Sequence, residues 1–440
     1  MFDKAALESL VHDLLREAKA QGATQADADV SIVKGLSVTV RLGEVETVEF
    51  NQDRGLGITV YVGKRKGSAS TSDFSAQAVK ETVAAACGIA RYTAEDESSG
   101  LADPERMAYE YPDLDLNHPW DINAEKAIDI ATACEDAARS ADKRITNSEG
   151  GSVSTHEGFR VYGNSHGFLG SYPTTRHGIS CAVIAQDGDT MQRDYWYSSA
   201  RVSSELLAAD VIGKRAAERA LRRLNGRRLA TGKVPVLLAA EVSGSLVGHL
   251  LAAIRGDSLY RKSTFLLDSL GKKIFPASFH IHEQPHLKRA LGSAPFDAEG
   301  VATRAHAIVE NGVLCSYVLD TYSARKLNMT STGNAGGTHN LLVASGDKDL
   351  AALLRTMDKG LYVTELMGQG VNKVTGDYSR GAAGFWVENG QIQYPVEEIT
   401  IAGNLRDMFA SIVEVGNDIE PQRNVRIGSV LLEQMMVAGA

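Results

Sequence analysis

The sequence predicts an α+β fold in two domains, an N-terminal antiparallel sheet with helices and a C-terminal β-rich domain with few helices. Residues 29–50 and 56–72 alternate Val, Ile, Thr and Tyr with polar residues, which is typical of antiparallel hairpins with one face in water. Apolar residues three and four apart over residues 5–20 predict an amphipathic helix. A chain of 440 residues has room for two or three domains.

The N-terminal half is predicted to alternate helices with hairpins. The expected helices cover residues 5–20, 75–92, 123–141 and about 203–224, the second of them capped at Ser72-Asp73. The expected breaks between strands are Lys34-Gly35, Leu42-Gly43 and residues 63–67, 148–151, 163–167 and 187–189. A polar, Pro-marked connector is expected at residues 112–120.

The domain boundary is expected near residue 230, where Gly226, Gly232 and Pro235 stand among basic residues. This gives domains at residues 1–230 and 231–440. In the second domain, Asn311-Gly312 and Asn389-Gly390 lie between alternating runs, and Asn-Gly is a strong signal for a hairpin turn. We therefore expect the second domain to be built around antiparallel sheet.

Composition and charge restrict the class of function. With 46 basic and 55 acidic residues the net charge is −9, which disfavours a nucleic-acid binder because such proteins need a cationic surface. The N-terminal helix is charged throughout and no signal peptide is predicted. No apolar run approaches the ~18 residues that span a bilayer. Since the four cysteines are scattered, as in reducing compartments, we expect a soluble, cytoplasmic protein.

The string HEQPH at residues 282–286 matches the HExxH pattern of zinc peptidases. That pattern works on a helix, where two imidazoles one turn apart bind zinc and the glutamate activates a water. Pro285 opposes a helix that includes His282, and three prolines within residues 275–295 favour a surface excursion. We interpret these histidines as solvated loop residues; His280 adds a third imidazole, which leaves chance metal binding open.

Glycine is concentrated at residues 331–340 and 367–385, and neither segment fits a nucleotide-binding loop. Tight turns are the plain explanation of these glycines. The functional alternative is that the second segment forms a peptide cleft, because polar side chains stand among its glycines. The residues concerned are Asp377, Tyr378, Ser379 and Arg380.

Glu241, Ser245 and His249 are spaced by four and would lie along one face of a helix that starts near Glu241. Ser-His-acid catalysis usually draws its members from separate elements. An apolar stripe on the same helix favours a place for His249 on or beside the buried face. His177 and Cys181 also have ligand-like spacing, but on a strand they would lie about 13 Å apart, so a packing role is favoured.

Several long segments give the chain a resemblance to a known family. They include residues 43–75, which begin GEVETVEFNQDRG, residues 323–340, SARKLNMTSTGNAGGTHN, and residues 363–405, which contain GDYSRGAAGFWVENG. With these segments nearly the whole chain resembles the TldD/PmbA metallopeptidase family. The resemblance implies a cytosolic metallopeptidase in which a TldD subunit pairs with a TldE/PmbA subunit, this chain being of the latter kind. It also implies unfolded or small peptides as substrates, including peptide antibiotics that are matured and an antitoxin that is removed.

The family resemblance further implies that this chain lacks zinc. TldD-type chains bind zinc through HExxxH on a helix after a short strand, with a cysteine near the C-terminus as third ligand. At the matching positions this chain has Gly244 and Ser245 in place of the first histidine and the glutamate, and only His249 is matched. Residues 417–434 contain no cysteine. These degenerate positions imply no catalytic residue and no cofactor in this chain, with zinc in the partner subunit.

Three hypotheses follow. The first is a zinc-less subunit that pairs with a TldD-type subunit, self-dimerises when alone and adds extended peptides to an exposed strand. The second is a metallopeptidase active by itself through His282, Glu283 and His286 or another metal set. The third is a peptide-binding protein with no role in proteolysis. The zinc-less-subunit hypothesis predicts hydrolysis only when a TldD chain is present. The second hypothesis predicts chelator-sensitive hydrolysis by this chain alone.

Overall fold

The N-terminal part of the molecule is a long-stranded antiparallel sheet, seen in a computed structural model that describes residues 2–439. Its strands are β1 (Gln25–Arg41), β2 (Glu44–Val62), β3 (Arg65–Thr71), β4 (Ile145–Asn164), β5 (Leu169–Asp187) and β6 (Thr190–Ala200). They lie in the order β3-β2-β1-β4-β5-β6, and every neighbouring pair is antiparallel.

Four helices pack on this sheet in two pairs. They are α1 (Lys4–Ala20), α2 (Ala76–Tyr92), α3 (Ala124–Arg139) and α4 (Ala209–Leu221). Apolar residues of α1 and α2 form one core with β1, β2 and β4, and those of α3 and α4 form a second core with β1, β4, β5 and β6. The helices bury the apolar side chains of alternate strand positions, as the alternating sequence pattern predicts.

Two of the predicted breaks are continuous strand instead. Gly35 lies inside β1, where a Cβ atom would stand 2.6 Å from Asn51 Oδ1 and 2.9 Å from the Thr155 carbonyl oxygen. Glycine is therefore needed there for close approach of neighbouring strands rather than for a turn. Residues 148–151 form an irregularity within β4, where the register shifts beside Gly150 at φ 108°.

Two helix starts also differ from prediction. The Ser75 hydroxyl, not Ser72-Asp73, caps α2 by accepting from the Ala78 amide at 3.2 Å. Helix α4 begins at Ala209, and residues 203–205 form a short 3-10 turn before it.

The C-terminal part contains a sheet that closes on itself. Its strands are β7 (Gly232–Leu238), β12 (Gly360–Met367), β13 (Asp377–Glu388), β14 (Gln391–Asn404), β15 (Ile412–Val415) and β17 (Val430–Ala438). The order is β14-β13-β12-β7-β17-β15, and β14 also pairs with the end of β17, so five of the strands form a ring.

A second C-terminal sheet packs nearby. Its strands are β8 (Ile281–Glu283), β9 (His306–Glu310), β10 (Val313–Leu314), β11 (Leu341–Val343) and β16 (Val425–Arg426), in the order β10-β9-β8-β11-β16. The remaining helices are α5 (Ala240–Ile254), α6 (Gly256–Tyr260), α7 (Thr321–Lys326), α8 (Leu350–Met357) and α9 (Leu405–Ala410). A shared apolar core joins the ring, α5 and the second sheet.

The hairpin predictions of this half are confirmed. Asn311 and Gly312 turn between β9 and β10 with φ 51° and 75°, and Asn389 and Gly390 turn between β13 and β14 with φ 54° and 68°. Both residues of each turn have the positive φ that a type I′ turn requires. The predicted α+β fold class is likewise confirmed. Across residues 2–439 no helix is long and apolar enough to cross a membrane.

Candidate functional site

Helix α5 is held in the core by the strand that precedes it. Strand β7 lies between β12 and β17, and the chain then turns directly into the helix, where the Ala239 amide donates to the Val363 carbonyl at 2.9 Å. The Ala240 amide donates to the Ser429 hydroxyl at 3.1 Å. A stripe that includes Leu246, Val247 and Leu250 is buried. The other side of the helix carries Gly244, Ser245 and His249, which are all half-buried.

The helix position expected for a first zinc ligand has apolar surroundings. A Cβ atom at Gly244 would meet Val425 and Ile427, at 3.8 and 3.9 Å. The C-terminal segment therefore does run past this turn of α5, but the side chains that it presents to Gly244 are hydrocarbon. Neither Val nor Ile can ligate a metal ion.

His249 is an imidazole without a polar partner on one side. Its ring meets that of Tyr378 edge-on, with centroids 5.8 Å apart, and Nε2 is buried with no hydrogen-bond partner among residues 2–439. Burial, and secondly the nearby positive charge of Arg380, lower the pKa of His249. The neutral imidazole is therefore the favoured form, and a neighbouring guanidinium opposes a second cation.

A site in this region would need two imidazoles and a third ligand, and α5 offers one imidazole. Gly244 has no side chain and Ser245 offers a hydroxyl, which is neither a usual zinc ligand nor a carboxylate base. The residues present do not fit a zinc ion at the position that the family motif would give it.

The proposed peptide-cleft residues divide between two faces of β13. Tyr378 is buried and Arg380 is half-buried on the side of His249, whereas Asp377 and Ser379 are exposed. Asp377 accepts from the Thr375 hydroxyl at 2.6 Å. Period-two alternation of a strand accounts for this division. The structure therefore brings Tyr378 and Arg380 of the glycine-rich segment beside His249 of α5.

Glu241 pairs with Arg219 of α4 rather than with Ser245 or His249. Its Oε1 accepts from Arg219 Nη1 of α4 at 2.5 Å, and Arg219 Nε donates to Asp194 at 3.0 Å. This carboxylate therefore belongs to an ion-pair network that joins α4 and β6 to α5, and not to a Ser-His-acid arrangement.

His282 and Glu283 of the HEQPH string lie on a strand rather than in the predicted solvated loop, whereas His286 is exposed in the turn that follows the strand. Residues Ile281–Glu283 form β8 at the centre of the second sheet, so His282 and Glu283 point to opposite faces. The side chain of His282 is 43 % exposed and that of Glu283 is 1 % exposed. His286 lies past the strand and hydrogen-bonds the Thr303 hydroxyl at 2.9 Å. The three proposed ligands therefore do not converge.

Glu283 is the centre of a buried network. Its carboxylate accepts from Asn334 Nδ2 at 2.9 and 3.0 Å, from the His339 amide at 2.6 Å and from His339 Nδ1 at 2.8 Å. Burial alone would raise the pKa of Glu283, but these hydrogen bonds lower it overall. Asn334 and His339 come from the glycine-rich segment 331–340, whose turns thus wrap a buried carboxylate.

On the opposite face of the same strand three metal-ligating side chains come together, and sequence spacing alone does not combine them. His280 Nδ1 lies 3.1 Å from Glu310 Oε1, and His282 Nε2 lies 2.7 Å from Glu310 Oε2. One ligand atom from each residue lies within 4.8 Å of the other two. The signal available in the sequence was the His-x-His spacing, which places both imidazoles on one face of a strand. Glu310 lies about thirty residues away and could not be paired with them by spacing.

Comparisons with known proteins agree on one family over most of the chain. Family models described as PmbA/TldA metallopeptidase domain 1, central domain and C-terminal domain match residues 26–90, 117–224 and 231–439. "Metalloprotease PmbA" from Escherichia coli O157:H7 is 55 % identical over 414 residues, covering 94 % of this chain and 92 % of the relative.

Solved structures match the whole fold. A Bacteroides thetaiotaomicron protein, described as a proposed modulator of DNA gyrase, has a TM-score of 0.94 at 31 % identity, covering 98 % of this chain and 99 % of that one. TldE from Thermococcus kodakarensis has a TM-score of 0.83 at 22 % identity, covering 98 % of this chain and 100 % of that one. At 22 % identity, the similarity to TldE shows a shared fold and nothing further.

Proposed function

Because the chain belongs to the PmbA/TldD metallopeptidase family, we propose that it is the partner subunit of a TldD/TldE-type peptidase complex, zinc-less in the sense that it lacks the family's catalytic zinc. In this proposal a TldD-type subunit holds the zinc and cleaves the peptide bond. This chain completes the complex and helps to hold unfolded or small peptides, such as precursors of peptide antibiotics or an antitoxin. Alone, it would associate with a second copy of itself.

The observation that carries the proposal is the ligand set of α5. The helix follows a buried strand, as the family motif requires, yet it offers one imidazole at His249 and no side chain at Gly244. Val425 and Ile427 lie against the empty position. A zinc site with three protein ligands and an activated water needs groups that this position lacks.

The charge beside His249 supports the same conclusion. Arg380 of β13 acts on His249 as a positive charge, and its Nε donates to the Gly368 carbonyl at 3.0 Å. That hydrogen bond holds the guanidinium on the strand. A fixed cation beside the remaining imidazole disfavours metal binding there, because like charges repel strongly where water is scarce.

The free edge of β2 supports a role in holding peptides. Strand β3 pairs only with the second part of β2, from Leu56 onward, and no strand within residues 2–439 pairs with the outer edge of residues 44–55. Val45, Val48 and Phe50 are exposed there, Phe50 at 73 %. An edge of this length can add an extended peptide through main-chain hydrogen bonds, which read little of its sequence.

Peptidase assays test the proposal. The purified chain, a TldD-type subunit and the two together are given an unfolded peptide, with and without a chelator. We expect hydrolysis by the pair to exceed that of either chain by more than about tenfold and to stop when the zinc ligands of the TldD subunit are removed. His249→Ala in this chain should leave the rate of the pair within about twofold. Chelator-sensitive hydrolysis by this chain alone would overturn the proposal.

Peptide binding provides the second test. We expect a peptide and its scrambled version to bind with similar rates, and Phe50→Asp on β2 to weaken both. Ile89→Asp is the matched control, because Ile89 is 49 % exposed on α2, away from the strand edge. Peptide binding with no effect on a TldD subunit would instead indicate a non-proteolytic peptide-binding protein.

A further inference from the structure

We propose that His280, His282 and Glu310 form a binding site for a divalent transition-metal ion, Zn²⁺ by ligand type, on the outer face of the second C-terminal sheet. This site is separate from the family's zinc helix. It shares no residue with α5 and does not depend on the proposed function.

The fold brings the three residues together through strand pairing. Strand β8 pairs with β9 in the register Ile281 with Val309 and His282 with Ala307, with an irregularity between the two pairs. Residues 280 and 282 share one face because side chains alternate along a strand. Glu310, at the end of β9, reaches across to both imidazoles, one on each carboxylate oxygen.

The distances suit a shared ion. Zinc lies about 2.0–2.2 Å from imidazole nitrogen and carboxylate oxygen, so ligand atoms around it lie roughly 3.0–3.5 Å apart. Here the two nitrogen-to-oxygen distances are 3.1 and 2.7 Å. Small side-chain rotations, with release of the 3.3 Å hydrogen bond from the Asn311 amide to His280 Nδ1, would open the group around an ion.

The ligand types and the exposure decide the class of ion. Two imidazoles with one carboxylate favour zinc and its transition-metal neighbours over Mg²⁺ or Ca²⁺, which prefer all-oxygen sites. The side chains of His280, His282 and Glu310 are 24 %, 43 % and 40 % exposed. An ion can therefore enter from solvent, and water can complete its coordination.

The backbone beside the site limits the positions that Glu310 can take. Asn311 and Gly312 turn immediately after it, and the Gly312 amide donates to the Phe279 carbonyl at 3.0 Å. The segment before His280 and the segment after Glu310 are thus tied to each other. We infer that a bound ion would fasten β8 to the β9 hairpin and would stabilise the folded chain by mass action.

Zinc titration of the metal-free chain tests the site. The chain is prepared without a polyhistidine tag, stripped with a chelator and dialysed, and zinc binding and thermal unfolding are then followed for the parent and for variants. We expect one zinc per chain and a melting temperature that rises with zinc concentration. His282→Ala and Glu310→Gln should each weaken zinc binding by about tenfold or more and remove the thermal shift.

Two controls separate this site from the alternatives. His286→Ala removes the second histidine of the HEQPH string, and His249→Ala removes the imidazole of α5; we expect both variants to bind zinc like the parent. Zinc binding lost with His286→Ala or with His249→Ala, but kept in His282→Ala, would overturn the proposal. The absence of any stoichiometric zinc in the parent would overturn it as well.

Discussion

Helix α5 and strand β8 each carry part of a zinc-peptidase sequence pattern, and the fold uses the two in opposite ways. Helix α5 follows a short strand, as the resemblance predicts for the family's zinc helix, but it has Gly244 at the position predicted for the first histidine. Strand β8 has the residues His282 and Glu283 but lacks the helix that would align them. In the cluster on β8, the second imidazole beside His282 is that of His280, and the carboxylate is that of Glu310 on β9.

The difference shows that the period of the backbone decides which side chains cooperate. In a helix, residues one turn apart share a face, whereas in a strand residues two apart do so and neighbours are separated. The same string therefore places Glu283 in a buried network and His282 beside solvent. Substitutions on the two faces of β8, and substitutions in α5 and in the β9 hairpin, test whether these regions differ in this way.

The largest effect is expected on the buried face of β8. Glu283→Ala would remove the buried acceptor of Asn334 Nδ2 and of two donors of His339, and we expect a loss of about 3–5 kcal/mol in the free energy of unfolding. Glu310→Ala removes a 40 % exposed carboxylate from the other face, and in the presence of a chelator it should cost less than about 1 kcal/mol. Urea unfolding measures both. Equal losses would show that the two faces do not differ as described.

Glycine-to-alanine substitutions should change the free energy of unfolding in opposite directions in the β9 hairpin and in α5. At Gly312 the φ of 75° and a Cβ placed 2.2 Å from the Phe275 carbonyl oxygen predict a loss of about 2–4 kcal/mol. At Gly244 the nearest atom to the added Cβ is at 3.8 Å, so an alanine there should stabilise the helix by about 0.5–1 kcal/mol. Urea unfolding of the two variants checks the signs; destabilisation by Gly244→Ala would mean that α5 is more tightly packed than its contacts indicate.

The smallest effect concerns the titration of His249. Burial and the charge of Arg380 place its pKa below the ordinary value of 6.5 in the folded chain. As the pH falls below about 6.5, His249 is protonated in the unfolded chain before it is protonated in the folded chain. The free energy of unfolding therefore decreases as the pH falls through this range. Arg380→Gln should raise the midpoint of His249 by less than about one unit, as followed by NMR of the imidazole carbons.

Arg228→Gln serves as the control for that titration, because Arg228 is exposed and paired with Glu398. It should leave the midpoint of His249 unchanged. If Arg380→Gln also leaves it unchanged, the cation beside the α5 imidazole has no influence on it, and one support for the zinc-less assignment is removed.

Much of the fold followed from local patterns. The helix over residues 5–20, the strand before α5 and both Asn-Gly hairpins were predictable, because helical spacing, apolar runs and positive-φ turns are properties of short segments. The break expected at Lys34-Gly35 was wrong, because Gly35 serves close contact with Asn51 and Thr155 on neighbouring strands. A glycine required by packing and one required by a turn are identical in sequence.

By itself, the sequence determined the α+β class and the family, and it predicts that zinc ligands are missing at Gly244 and Ser245, because these inferences depend on residue identity and local periodicity. Only the tertiary structure decided which distant side chains meet. It placed Tyr378 against His249, His339 against Glu283, and Glu310 between His280 and His282. Those pairs depend on strand order and register, which are set by long-range packing that no short stretch of sequence contains.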